Sequence, residues 1–137
     1  MNTTSISGSG EHAPCTDGMR KKVLIVDDLA ESAETLQLIL EMDGFVVAVA
    51  REGQFAIKFA ADFRPDVIIL DIGMPGMDGY EVARRLRAQP QSRGARLLAL
   101  TGYGDDDSRS RTRAAGFDHH VVKPADIDQL IALVAAD

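Results

Sequence analysis

Five polar residues stand directly behind four apolar runs of the chain. Asp27 and Asp28 follow Val23-Leu24-Ile25-Val26, and Asp71 follows Val67-Ile68-Ile69-Leu70. Thr101 follows Leu97-Leu98-Ala99-Leu100, and Lys123 follows Val121-Val122. If those runs are strands of one sheet, three carboxylates, a hydroxyl and an ammonium meet at one edge. Crowded carboxylates repel, and one must hold a proton unless a cation intervenes. A hard divalent ion resolves this. Mg²⁺ prefers oxygen ligands, keeps several waters, and takes one or two carboxylates plus a phosphate oxygen. Lys123 adds a point charge suited to a phosphoryl oxygen, and Thr101 a short hydroxyl donor. The chemistry that uses such a set is attack of a carboxylate on phosphorus. Mg²⁺ and the ammonium would stabilise the charge developing on the equatorial oxygens.

Asp71 is the predicted nucleophile. It ends what should be the central strand, and Gly73, Pro75 and Gly76 follow in a loop that leaves its side chain open to a donor. Asp27 and Asp28 are adjacent, with the second able to cap the next helix. That arrangement suits metal holding.

The elements that must position these groups are legible as an alternation. Leu29, Ala33, Leu36 and Leu40 fall on one helical face behind the first apolar run, and Gly44 ends that helix. Phe45 to Val49 reads as a second strand, with Phe55, Phe59 and Ala60 as the buried side of a second helix. Behind the third run, Asp78 with Glu81 predicts a capping box opening a helix through Val82 and Leu86. Asp106 to Ala115 predicts a fourth helix, and Ile127, Leu130, Ile131 and Val134 the stripe of a fifth. Continuous apolar strands separated by helices imply a parallel sheet covered on both faces. Right-handed crossovers then make a doubly wound, open α/β sheet the economical solution, a five-stranded (βα)5 flavodoxin-like fold. Five units are too few to close a barrel. In such a sheet function gathers beyond the carboxyl ends of the strands, where the second strand contributes nothing comparable to the other four.

The chain's 137 residues suffice for one core. Residues 1–20 are rich in Ser, Thr and Gly and predict a flexible polar leader, with order over 21–137. A formal charge of −6 argues against broad nucleic-acid binding, which favours a basic surface. The single cysteine, Cys15, cannot form an internal disulfide and fits a reducing, cytoplasmic compartment. No apolar run approaches the roughly 20 residues that span a bilayer, so no membrane role is expected.

Four segments carry a family resemblance: Val23-Leu-Ile-Val-Asp-Asp28, Ile69-Leu-Asp-Ile-Gly-Met-Pro-Gly-Met-Asp-Gly79, Ala99-Leu-Thr-Gly102 and Val122-Lys-Pro124. In order and spacing they resemble the response-regulator receiver domain of two-component signalling, over about residues 21 to 137. The resemblance implies Asp71 as phosphoacceptor, Asp27 and Asp28 as the acidic pair at a Mg²⁺ site, and the Gly73 carbonyl as a further metal ligand. It implies that Thr101 and Lys123 contact the phosphoryl group and that the Lys123–Pro124 peptide is cis. The donor would be a histidine kinase or a histidine phosphotransfer protein. Self-phosphorylation from donors and slow autodephosphorylation are expected rather than enzymatic turnover. Output would pass to a downstream protein, with homodimer pairing through the fourth helix, fifth strand and fifth helix.

One departure concerns the switch. Receivers usually couple Thr movement to an aromatic residue three positions before the lysine, and here that position is His120. The switch pair is thus Thr101 and His120, with a polar ring whose charge varies near neutral pH. The plain reading of His119 and His120 is a strand edge with one ring packed and one solvated. Gly73 and Tyr103 flank the site at positions that tune phosphoryl lifetime in the family. In the fourth helix Arg109 and Arg113 share a face and Ala114 and Ala115 are the core contacts, so a short, loosely held element is expected. Arg84, Arg85, Arg87, Arg93 and Arg96 read as a solvated face, and Met74 and Met77 as loop chemistry or partner contacts.

Rival functions are weaker. A phosphatase resembling the haloacid dehalogenases would carry a second Asp where this chain has Gly73. A flavodoxin-like carrier would suffer repulsion between Asp27-Asp28 and a flavin phosphate. A pseudo-receiver that docks without phosphorylation, and the terminal receiver of a hybrid histidine kinase, are the remaining alternatives. The polar leader beginning at Met1 favours a stand-alone receiver.

Overall fold

The computed structural model describes residues 20–73 and 78–136. The leader expected over residues 1–20 lies outside the described residues except for Arg20. So do Cys15, Met74, Pro75, Gly76 and Met77. Strands and helices alternate strictly: β1 (Lys22–Val26), α1 (Ala30–Met42), β2 (Val46–Ala50), α2 (Gly53–Phe63), β3 (Val67–Asp71), α3 (Gly79–Ala88), β4 (Arg96–Thr101), α4 (Asp106–Ala115), β5 (His119–Val122) and α5 (Ile127–Ala135). The strands are all parallel, in the order β2-β1-β3-β4-β5. This is the doubly wound sheet that the apolar runs imply.

The period of two along each strand sorts the core into two layers. Leu24, Val26, Ile68, Leu70, Leu97 and Ala99 point to one face, against Ala56 and Ala60 of α2, Val82 and Leu86 of α3, and Ala115 of α4. Val23, Ile25, Val67, Ile69, Leu98 and Leu100 point to the other, against Ala33 and Leu40 of α1 and Leu130 and Val134 of α5. β3 is buried at every position, including Asp71. Each fully buried Ile or Leu there contributes about 1.5–3 kcal/mol.

Helix ends follow local chemistry. After α1 the Gly44 N–H donates to the Glu41 carbonyl and the Phe45 N–H to that of Leu40, with Gly44 at φ 98. This paired reversal, a Schellman motif, needs the left-handed conformation that glycine adopts cheaply. Gly116 repeats it after α4 at φ 104.

Several helix-face expectations are corrected. Leu29 is 58% exposed, Phe55 50% and Ile127 39%, so the stripes are narrower than their spacing predicts. α2 meets the sheet with Ala56 and, as expected, Ala60; Phe59 and Phe63 are half-buried and pack against the same core, while Phe55 turns out, the three rings stacking at 5.7 and 5.2 Å. In α4 the buried residues are Thr112 and Ala115, and Ala114 faces out. The capping box is half formed. Asp78 accepts from the Tyr80 N–H, but Glu81 turns to Arg84 and Arg85, whose guanidinium groups hold its carboxyl below the ordinary range. Asp28 does not cap α1; Leu29 occupies that position without a side-chain cap.

The arginine group is also not one solvated face. Arg84 and Arg85 are exposed partners of Glu81. Arg87 donates to the carbonyls of Gly116, Arg93 and Ala95 and pairs with Asp118 at 2.7 Å, joining α3, the approach to β4 and the end of α4. Arg96 donates to the carbonyls of Leu133 and Ala136 at the end of α5.

Candidate functional site

The parallel register decides which side chains meet. Val26 lies opposite Leu70, Leu70 opposite Ala99, and Thr101 opposite Val122. Asp27, Asp71, Thr101 and Lys123 therefore emerge side by side at the carboxyl edge. The chain order reverses there between β1 and β3, the point where open α/β sheets form their crevice.

Asp27 and Asp71 are almost fully buried, at 6% and 4% exposure, while Asp28 is half-buried. One carboxylate oxygen from each of the three lies within 4.8 Å of the others. Burial is the main force pushing the Asp27 carboxyl above the ordinary range. The charges of Asp71 and Asp28 add to it, against the Leu29 N–H and Lys123, which pull it down. The Leu29 N–H donates to Asp27 Oδ1 at 3.0 Å, fixing the side chain where the chain leaves β1.

Asp71 is held at both oxygens. The Gly73 N–H donates to Oδ1 at 2.9 Å, and Lys123 Nζ donates to Oδ2 at 2.9 Å. The Lys123–Pro124 peptide is cis, as the resemblance implies. Thr101 is buried, and its Oγ1 accepts from the Tyr103 N–H at 3.1 Å, which leaves the hydroxyl proton available to another acceptor. The Lys123 N–H donates to the Thr101 carbonyl at 2.8 Å, tying the two residues through the backbone.

The donor set fits a hard divalent cation. One ammonium faces three carboxylates, and the residual negative charge on oxygen-only donors is what Mg²⁺ accommodates. All five principal residues predicted for the site are thus brought to one place. His120 stands apart from them, and its link to Thr101 runs through Tyr103. Its Nε2 lies 2.7 Å from the Tyr103 carbonyl oxygen, while the Tyr103 N–H bonds Thr101. His119 and His120 are both half-buried, and the His120 ring is bonded at both nitrogens.

Two residues at this edge escape the sequence reading. Arg51, directly behind β2, donates through Nη2 to the Asp28 carbonyl at 3.4 Å, so the second strand does supply a charged group. Its position behind an apolar strand was the available signal. Thr112 is buried and 3.0 Å from His120 Nδ1, and only its spacing of three from Ala115 hinted at this.

The family model of the response regulator receiver domain matches residues 23–135. The DNA-binding response regulator MtrA of Mycobacterium tuberculosis is 37% identical over 120 residues, 88% of this chain and 51% of that protein. Among solved structures, the chemotaxis protein CheY4 of Vibrio cholerae superposes with a TM-score of 0.80 at 31% identity, covering 84% of this chain and 96% of that one. A response regulator from Burkholderia pseudomallei, whose structure holds a phosphorylated aspartic acid, a calcium ion and citrate, gives 0.77 at 28% identity over 85% of this chain and 67% of that one. The chain spans about half the length of the MtrA proteins it matches. Among the described residues no helix is long and apolar enough to cross a membrane.

Proposed function

The chain belongs to the response regulator receiver domain family of two-component signalling, and on that premise we propose that Asp71 accepts a phosphoryl group from a histidine kinase or a histidine phosphotransfer protein. The observation that carries this reading is the Asp71 carboxylate, held by Lys123 at 2.9 Å inside a cluster of three carboxylates at the switch point of the sheet. Asp71 supplies the attacking oxygen. Gly73 and Lys123 orient its carboxylate, and the hydroxyl of Thr101 and the ammonium of Lys123 receive the phosphoryl oxygens. Asp27, Asp28, Asp71 and the Gly73 carbonyl would hold Mg²⁺, which neutralises charge on the carboxylates and the incoming phosphoryl group. The calcium ion and phosphorylated aspartic acid in the Burkholderia relative support the same pairing of chemistry in this chain.

Phosphorylation then changes protein contacts. Thr101 and His120 form the switch pair, and the face made by α4, β5 and α5 is the proposed surface for a downstream protein or a second copy. Slow self-dephosphorylation returns the domain to its starting state. The test is Mg²⁺-dependent labelling by a small-molecule phosphodonor, read by intact mass on wild type beside Asp71→Asn. One phosphoryl group on wild type and none on the variant is expected. Labelling of both moves the acceptor elsewhere, and labelling of neither favours a docking module that works without phosphorylation.

A further inference from the structure

The ring of His120 is bonded at both nitrogens. Nε2 lies 2.7 Å from the Tyr103 carbonyl oxygen and Nδ1 lies 3.0 Å from Thr112 Oγ1. A carbonyl has no proton to offer, so Nε2 carries one and donates. A neutral imidazole has a single N–H, which leaves Nδ1 as an acceptor needing the Thr112 hydroxyl proton. That proton has a competing use, because Thr112 Oγ1 donates to the Arg109 carbonyl at 3.0 Å. One proton cannot serve both. In the imidazolium form the conflict disappears. Nε2–H donates to Tyr103, Nδ1–H donates to Thr112, and the Thr112 hydroxyl stays on Arg109. The charged ring satisfies three bonds where the neutral ring satisfies two. Thr112 is 2% exposed, so water does not readily replace the lost partner.

This chain of bonds closes on the segment that carries Thr101. Arg109 Nε donates to the Gly104 carbonyl at 3.0 Å, and a Cβ added at Gly104 would lie 2.8 Å from Val122 Cγ2. The loop from Thr101 to Gly104 is thus clasped between α4 and β5, with His120 as the buckle. The charges facing the ring are mixed. α4 presents Arg109 and Arg113, the turn before it Asp105, and β5 with its approach His119 and Asp118; the residues of α5 lining the same cavity are neutral Gln129 and Leu133, and β4 pairs Ala99 beside it. Asp118 is engaged by Arg87. With the charges opposed in sign, the hydrogen-bond count decides.

We propose that protonated His120 clamps the β4–α4 loop to α4, so that pH across the histidine range sets how firmly the Thr101 segment is held. The consequence for switching rests on Asp71 being the phosphoacceptor. Acid stabilises the clasped arrangement and therefore opposes the loop movement that phosphorylation would drive.

The test is an NMR titration of the unphosphorylated chain over about pH 5 to 8.5, the range in which histidine side chains change charge. The His120 ring and the amides of Tyr103, Gly104 and Thr112 should share one midpoint. Hydrogen exchange of the loop amides, corrected for intrinsic rate, should slow about fivefold on the acid side, the effect of one added hydrogen bond. His120→Phe should abolish both effects and His119→Gln should keep them. Thr112→Val, which removes the acceptor and suits the case of a poorly folded His120→Phe, should abolish the slowing of loop exchange on the acid side. Loop amides that ignore the ring, or that titrate unchanged in His120→Phe, overturn the clamp. A loop that titrates in a chain that takes no phosphoryl group keeps the clamp and removes the phosphoacceptor reading. A chain that is labelled while its loop ignores pH does the reverse.

Discussion

Lys123 Nζ sits 2.9 Å from Asp71 Oδ2, joining residues that are 52 positions apart in the chain. Asp71 is 6% exposed at its side chain and Lys123 40%, so a buried carboxylate is answered by an ammonium that still reaches solvent. The pair holds the carboxylate in place without enclosing it, as the proposed attack on a phosphoryl group requires. Removing the ammonium should therefore hurt chemistry more than folding. Lys123→Ala is expected to lower the rate of phosphodonor labelling roughly a hundredfold, the scale of losing one fixed charge at a reacting oxygen. Stopped samples analysed by intact mass would measure this, with circular dichroism to check the fold.

The acidic cluster predicts an unusual pH dependence of stability. The folded chain holds the Asp27 proton to higher pH than the unfolded chain, whose carboxyl has its ordinary value of 3.8. Between that value and the raised one the folded state binds more protons, so stability falls as pH rises through the window. Above the window the penalty is complete. Urea unfolding in a chelator should show that slope, and saturating Mg²⁺ should flatten it.

Asp27→Asn keeps an oxygen to accept from the Leu29 N–H while deleting the charge. In chelator at neutral pH the variant should be more stable than wild type, by on the order of 1 kcal/mol, because it no longer buries a charge or sets one beside Asp71 and Asp28. It should also lose most of the stabilisation that Mg²⁺ gives wild type. A variant less stable than wild type under both conditions would contradict the cation-site assignment.

At the opposite edge Arg87 makes the contacts that a solvated arginine would lack. Its guanidinium serves the Gly116, Arg93 and Ala95 carbonyls and Asp118, which also accepts from the Leu97 N–H. Arg87→Ala should cost about 2–3 kcal/mol by urea denaturation, since partners are left unmet. Arg87→Lys should recover little of it, because an ammonium cannot reproduce the planar fork.

Gly44 and Gly116, both left-handed, separate backbone strain from crowding. A Cβ at Gly44 meets nothing within 4 Å, whereas one at Gly116 lies 3.0 Å from Arg87 Cγ. Gly44→Ala should cost about 1 kcal/mol for the conformation alone. Gly116→Ala should cost more, and combining it with Arg87→Ala should give less than the sum of the two. Additive costs would separate Gly116 from the arginine clasp.

Much of this protein was written locally. Val67 to Leu70 reads as a strand buried on both faces because four consecutive apolar residues have no polar side to turn outward, and the sheet buries all four. The polar residues behind each strand were equally plain, and a parallel sheet has only one edge at which they can gather. Helix faces were less legible. Leu29, Phe55 and Ala114 were each expected on the buried face of a different helix, but where a helix seats on a sheet depends on its neighbours, and these three turn outward. Away from that edge and the Asp78 cap, the partners of polar side chains were not legible. Arg87 reaches Asp118 across 31 positions, Arg51 reaches the Asp28 carbonyl across 23, and His120 finds Tyr103 across 17. Apolar burial follows from a residue and its near neighbours, because the hydrophobic effect is non-directional. A hydrogen bond needs its partner within a few tenths of an ångström and in line, and only the register of the strands and the seating of the helices supply that.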